Sequence, residues 1–185
     1  MNRQLTWEGL WQAPPASWER LHLQDGRADS QLRVAAADGQ PPYQLEYRLE
    51  WDTDWRLREA ELLVEGEHLQ RHLALLTDGQ GRWTLGDGTA LDELDGCLDI
   101  DIWPSPFTNT FPIRRLGLGD GQSVALEVVY VEAPKLQPRK MRQGYTRRDA
   151  SHYLYRNLEG TDFQALLEVD GQGLVVDYPT LFRRV

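Results

Sequence analysis

This sequence predicts a mainly β protein, a large antiparallel architecture carrying a single short α-helix. Three observations lead there. Apolar side chains recur with a period of two along most of the chain. Asp-Gly turns punctuate the alternating runs. Only one segment, around residues 105–117, departs from alternation toward helix. With 185 residues and no Ser/Gly- or Pro-rich linker, the chain reads as one domain, 1–185, long enough to bury a real core.

The alternation is clearest at 43–51. There Tyr43, Leu45, Tyr47, Leu49 and Trp51 share one face, while Gln44, Glu46, Arg48 and Glu50 share the other. That is the pattern of a strand buried on one side and wet on the other. Comparable runs precede it at 4–11, 19–24 and 30–36, and follow it at 55–64, 68–76, 82–85 and 97–103. Beyond the helical segment come 123–132, 139–147, 151–156, 163–169 and 174–177. Asp-Gly-Gln begins at Asp38, Asp78, Asp120 and Asp170. Between alternating runs this predicts type I′ hairpin turns, with positive φ at both central residues. The stretches between these turns do not align, so they are recurrent turn chemistry and not the repeats of a propeller.

For the helical segment two starts are open. Ser105 can cap a helix with Pro106 in its first position, but Pro112 then falls in the interior at a cost of ~3 kcal/mol. Alternatively Asn109 or Thr110 caps a shorter helix, with Pro112 in its first turn and Gly117 as terminator. The second predicts a helix over about 109–116, with looser turns before it and with Phe111, Ile113 and Leu116 packed against the sheet.

Charge and cysteine content narrow the function classes. The net charge is −9, yet Lys135, Arg139, Lys140, Arg142, Arg147 and Arg148 form a run without an acid. Without those six positives the remainder stands at −15, a field that repels nucleic acid over most of the surface. The run is therefore expected to pair with the protein's own carboxylates or to form a solvated strand face, and no nucleic-acid partner is expected. One cysteine, Cys97, excludes an internal disulfide and a multi-thiolate metal site. The first fifteen residues lack the apolar core of a signal peptide, and no run reaches the ~20 apolar residues of a membrane helix. A cytoplasmic protein without a membrane segment is expected.

Candidate chemistry concentrates between Gly96 and Leu118. Asp95, Asp99 and Asp101 are expected on one strand face, with Leu98, Ile100 and Ile102 opposite. Neighbouring carboxylates on that face stand roughly 6.5–7 Å apart at their Cα atoms. They could hold a divalent cation, act as an acid/base pair, or be ion-paired by Arg114, Arg115 or the basic run. Arg114 and Arg115 could fork onto phosphate or carboxylate, complement the helix C-terminus, or pair with Asp99 and Asp101. His68 and His72 lack the Glu and third ligand of a metal-helix motif and read as an incidental surface pair. Gly117, Gly119 and Gly121 stand after a helix and before a strand, the reverse of a dinucleotide loop. Trp51, Trp55, Trp83, Trp103, Tyr145, Tyr153 and Tyr155 are spread over several strands, as core fillers or as rings lining a sugar or acyl-chain cavity.

The segment 99–116 resembles the hallmark of a bacterial glycolipid-binding family that began as a domain of unknown function. Gln143 to Arg147, the following Tyr153 and Tyr155, Asp78 to Trp83, and Gly96-Cys97 match it too. The resemblance spans nearly the whole chain, with Phe111 where Leu is expected and Gly144 where a larger residue is usual. It implies a long antiparallel sheet, shaped as a half-barrel around one helix and similar to bacterial lipoprotein and lipid carriers, in a homodimer. It also implies noncatalytic binding of a glycolipid or similar amphiphile, with no cofactor and no metal. On that reading Asp99, Asp101, Asn109, Arg114, Arg115, Tyr145, Arg147, Tyr153, Tyr155 and Trp83 are the ligand-binding candidates. Two alternatives stand beside it. One is an enzyme acting on a sugar or lipid conjugate through Asp99 and Asp101; the other is a purely structural dimeric fold with no small ligand.

Overall fold

The computed structural model describes residues 2–11, 16–37 and 39–185. The first strands are β1 (Arg3–Gly9), β2 (Ser17–Gln24), β3 (Arg27–Val34), β4 (Tyr43–Trp51), β5 (Leu57–Gly66), β6 (Leu69–Thr77) and β7 (Trp83–Leu85). A 3-10 turn at Asp92–Leu94 leads to β8 (Asp99–Trp103), and a second at Phe107–Asn109 runs into α1 (Thr110–Leu116). Then follow β9 (Ser123–Glu132), β10 (Gln137–Arg147), β11 (His152–Asn157), β12 (Gln164–Val169), β13 (Val175–Tyr178) and β14 (Phe182–Arg184). The strand β14 has no counterpart in the sequence reading.

All of these strands join one sheet, in the order β7-β6-β5-β4-β3-β2-β1-β14-β13-β12-β11-β10-β9-β8. Chain neighbours are sheet neighbours throughout, except that β7 and β8 form the two edges. The topology is thus a meander closed between its first and last strands, where Trp7 faces Arg184, and open at one seam. The seam is bridged without strand pairing. Gly96 N–H donates to the Gly81 carbonyl and Trp83 Nε1 to the Cys97 carbonyl, each at 2.8 Å. One pair departs from the antiparallel expectation: β8 runs parallel to β9. The physical reason is the connection, since a crossover through a helix returns the chain in the same direction, which a tight hairpin cannot do.

The sheet curls around α1. Leu45, Leu62 and Val64 from β4 and β5 share a buried cluster with Ile100, Ile102, Val129 and Val131 from β8 and β9. Tyr43 Oη crosses between these limbs to the Ala133 carbonyl at 3.2 Å. Phe107 and Phe111 lie inside that cluster, with ring centroids 5.0–6.1 Å apart among themselves, Trp51 and Trp55. Ile113, half a turn further along α1, belongs to the second cluster with Tyr145, Tyr153, Leu167 and Phe182. One helix therefore packs against both halves of the sheet.

The helix takes the second, shorter start, with Pro112 in the first turn of α1, and Asn109 stands at its N-cap position without a side-chain cap because its amide donates to the Pro106 carbonyl instead. Ahead of it Ser105 Oγ accepts the Phe107 N–H at 3.2 Å beside the 3-10 turn, whose N-cap position is Pro106. Gly117 ends α1 in the left-handed region, at φ +54°. The Asp-Gly expectation needs correction. Asp78, Asp120 and Asp170 do not have positive φ, so type I′ turns do not form there; Gly79 and Gly121 do have positive φ. At Asp78 and Asp170 the carboxylate itself makes the turn, accepting two backbone N–H groups further along the chain. Asp38 lies outside the described residues. Asp95 is also not on the strand, because the 3-10 turn ends there, leaving Asp99 and Asp101 as the strand carboxylates. The basic run meets carboxylates, with Lys135 on Glu132, Arg139 on Glu159, Lys140 on Glu127 and Arg147 on Asp120.

Beneath the 105–109 turn lies a buried acid. The period of two that turns Leu21 and Leu23 inward also turns Glu19 inward, where it is 2% exposed. Its Oε1 accepts hydrogen bonds from Ser30 Oγ at 2.8 Å, Ser105 Oγ at 2.9 Å and Tyr47 Oη, while Oε2 has no hydrogen-bond partner among the described residues. Burial pushes this carboxyl up to about 7, against the opposing pull of the three hydroxyls. The folded state then holds a proton that the unfolded state releases above about 4.5. Stability should therefore fall as pH rises from about 4.5 to about 7, by something on the order of 3 kcal/mol, and level off above. Glu19→Gln mimics the protonated acid. It is expected to flatten that slope and raise the melting temperature at pH 8, with little change at pH 4.5, as read by thermal melts across pH.

Candidate functional site

The hallmark segment folds into a polar junction between β8, α1 and β10. Arg115 donates to Asp99 through Nε at 2.9 Å and Nη2 at 2.5 Å, a two-pronged ion pair in which Asp99 is completely buried. Burial pushes the Asp99 carboxyl above its usual range despite the arginine. On Asp101, Oδ1 accepts from Thr108 Oγ1 at 3.1 Å and Oδ2 from Gln143 Nε2 at 2.6 Å. Its carboxyl is likewise raised, by burial first. Tyr145 Oη donates to Asn109 Oδ1 at 2.8 Å, and Asn109 Nδ2 donates to the Pro106 carbonyl at 3.1 Å. Asp99, Asp101, Asn109, Arg115 and Tyr145 thus come together, with Gln143 and Thr108 as members the sequence reading missed. Their polar groups are occupied by one another.

The other candidates lie elsewhere. Trp83 is buried at the seam, and its indole N–H is used by the Cys97 carbonyl. The Cys97 thiol is buried beside it and pushed up to about 11 by desolvation. Tyr155 stacks edge-on against Tyr145 in the second cluster. Arg147 and Tyr153 line a small hollow of about 230 Å³ together with Arg114, Asp170 and Gly173.

Arg114 separates from its neighbour because adjacent helical residues point about 100° apart. It is exposed, lies over the Trp55 ring at 5.0 Å, and donates to the Gln172 carbonyl at 3.3 Å. Beside it a mouth of about 660 Å³ opens at one end of the curled sheet. Leu23, Trp51, Trp55 and Leu174 give it an apolar wall; Asp25, Asp52, Thr53, Gln172 and Arg114 give it a polar rim. Volume and wall composition are those of a small-molecule site. Trp55 stands at φ +60°, a backbone conformation costly for a bulky side chain. Asp52 holds it there, accepting the Asp54 and Arg56 N–H groups at 3.0 Å each, while Trp55 N–H donates to the Asp52 carbonyl at 3.1 Å. The result is a ring stacked on Trp51 at 5.0 Å, inclined by 22°.

A second hollow, about 560 Å³, lies on the outward face of β1–β6. Its charges neutralise one another: Asp29 pairs with Arg48, and Glu61 with Arg48 and His72. Its lining has no Trp or Phe and its Tyr47 is buried, although Trp18 stands exposed elsewhere on the outward face of β2, so the hollow itself offers less to an apolar ligand. Among the described residues no group of three or more His, Cys, Asp or Glu side chains could hold a metal ion. No described helix is long and apolar enough to cross a membrane.

A curled meander enclosing one helix, with an aromatic mouth rimmed by polar groups, defines a mainly β protein built on one open sheet. The chain belongs to the family described as "Putative glycolipid-binding", whose model matches residues 4–184. It is similar to a DUF1089 family protein from Pseudomonas aeruginosa known from a crystal structure. The two share 63% identity and superpose with a TM-score of 0.91, over 96% of each chain. None of the curated proteins matches the chain.

The buried Asp99–Arg115 pair carries an energy that can be tested. Removing one partner of a buried pair leaves an uncompensated charge, which costs about 3–5 kcal/mol, whereas replacing both by apolar groups costs far less. Arg115→Met is expected to lower the chemical denaturation midpoint strongly. The double variant Asp99→Leu, Arg115→Met should recover most of that loss. A double variant whose loss equals the sum of the Asp99→Leu and Arg115→Met losses would show that the pair is not coupled.

Proposed function

We propose that this protein binds an amphiphile of the glycolipid kind in the mouth beside Arg114, without chemical conversion, as a cytoplasmic homodimer. The dimer and the compartment rest on the family resemblance and the sequence reading. The observation that carries the ligand reading is the mouth itself. Two stacked tryptophans, one kept in a strained backbone by a dedicated aspartate turn, face a polar rim across about 660 Å³. Strain of this kind persists only where surrounding structure enforces it, and it is common at ligand sites. The apolar wall suits a hydrocarbon or the flat face of a sugar ring.

A noncatalytic role is supported by the state of the carboxylates. The acid/base alternative relies on Asp99 and Asp101, and their oxygens are engaged by Arg115, Thr108 and Gln143. Asp99 is completely buried, so a substrate cannot reach it without the junction opening.

Native mass spectrometry of gently purified protein, followed by lipid extraction, is expected to find a bound amphiphile. Trp55→Ala should weaken binding of an added amphiphile by about tenfold or more, ~1.4 kcal/mol, with the melting temperature showing that the variant is folded. No bound amphiphile, together with no binding across a panel of glycolipids and phospholipids, would contradict the proposal.

A further inference from the structure

We propose that the ligand is an anionic amphiphile, and that its phosphate, sulfate or carboxylate group is held between Arg114 and Arg147 in the small hollow next to the mouth. This rests on the reading above and names the chemistry of the group the site selects. Arg114 lines both the mouth and the hollow of about 230 Å³. A single molecule can therefore place its apolar part against the tryptophans and a charged end beyond the arginine. The hollow is below the ~300 Å³ at which whole small-molecule sites begin, and suits one group of a larger ligand.

Its charge balance favours an anion. Arg114 has no carboxylate partner among the described residues; its polar contact is one carbonyl, at 3.3 Å. A guanidinium carries five donors in a planar fork that matches two oxygens of an anion. Arg147 is held by the Leu118 carbonyl at 2.7 Å, the Asp149 carbonyl at 3.0 Å and the well-exposed Asp120 at 3.0 Å. The acid lining the hollow, Asp170, is already matched by Arg184 at 2.8 Å and Arg3 at 3.5 Å, and its Oδ1 accepts two backbone N–H groups. Across the mouth the rim acid Asp52 repels an anion and directs it to the arginine side.

Gly173 makes the arrangement possible. A Cβ at this position, φ +75°, would stand 3.2 Å from Arg114 Cδ and 3.1 Å from Ile113 Cγ2. The bare backbone lets the arginine stem lie on the partition between the two hollows.

The test is titration calorimetry with three probes at one ionic strength: an acyl glycerol phosphate, the neutral monoacylglycerol of the same chain length, and inorganic phosphate. The phosphate-bearing amphiphile is expected to bind at least tenfold tighter than the neutral one, with inorganic phosphate alone much weaker than either. Arg114→Gln and Arg147→Gln, each shown to be folded by its thermal melt, should bring the ratio between the two amphiphiles to within twofold. Arg114→Lys should restore part of it. Arg139→Gln, a surface change of equal charge elsewhere, should leave the ratio as it is. Equal binding of charged and neutral amphiphiles, or a ratio insensitive to Arg114, overturns this inference and leaves amphiphile binding standing. Inorganic phosphate binding as tightly as the acyl phosphate also overturns it, assigning the hollow to free phosphate. Failure of every amphiphile to bind removes the proposed function itself.

Discussion

Arg115 reaches from α1 to Asp99 on the edge strand β8, and the placement of the helix within the sheet depends on that ion pair. The pair is buried, and taking both charges out of water offsets much of their mutual attraction, so its contribution is positional more than stabilising. Asp101, Thr108, Gln143, Tyr145 and Asn109 extend the same constraint to β10 and the 3-10 turn. With the helix fixed, Phe111 is set among Trp51, Trp55 and Phe107, and Arg114 is turned to the mouth.

The meander explains how so wide a sheet can assemble from local steps. Nearly every strand pairs with its neighbour in sequence, so few long loops must close before contacts form. The exceptions are informative. The β1–β14 pairing joins the termini, and the β7–β8 seam stays open, closed over by the Gly81–Gly96 contact and the Trp83 indole. An open seam lets the limbs curl around a helix without the fixed diameter that a continuous barrel imposes.

Much of the fold is legible in the sequence because one face of each strand is buried. The alternation at 43–51 and 123–132 gives β4 and β9 to the residue. The strand β14 escapes because three residues, Phe182 to Arg184, are too short to establish a period, and its pairing with β1 is a long-range fact. The parallel direction of β8 is equally invisible to local patterning. At the site, the two adjacent arginines look interchangeable in sequence, and only the helix orientation sends Arg115 to Asp99 and leaves Arg114 exposed. Glu19 was within reach: extending the inward register of Leu21 and Leu23 by one step places it inside. Trp55 stands in the sequence only as one of seven aromatics that fill the core or line a cavity, because its place at the mouth depends on a positive φ that the sequence marks only by the aspartates of the preceding turn.

Two hollows of similar size compete for a ligand in this molecule, the aromatic mouth by Arg114 and the charge-paired recess on the outer face. The account depends on the first. A crystal structure with an amphiphile brominated in its chain separates them through the anomalous signal of bromine. The account predicts bromine against Trp51, Trp55, Leu23 and Leu174. Bromine in the outer recess between Arg20 and His72, with the mouth empty, would contradict it.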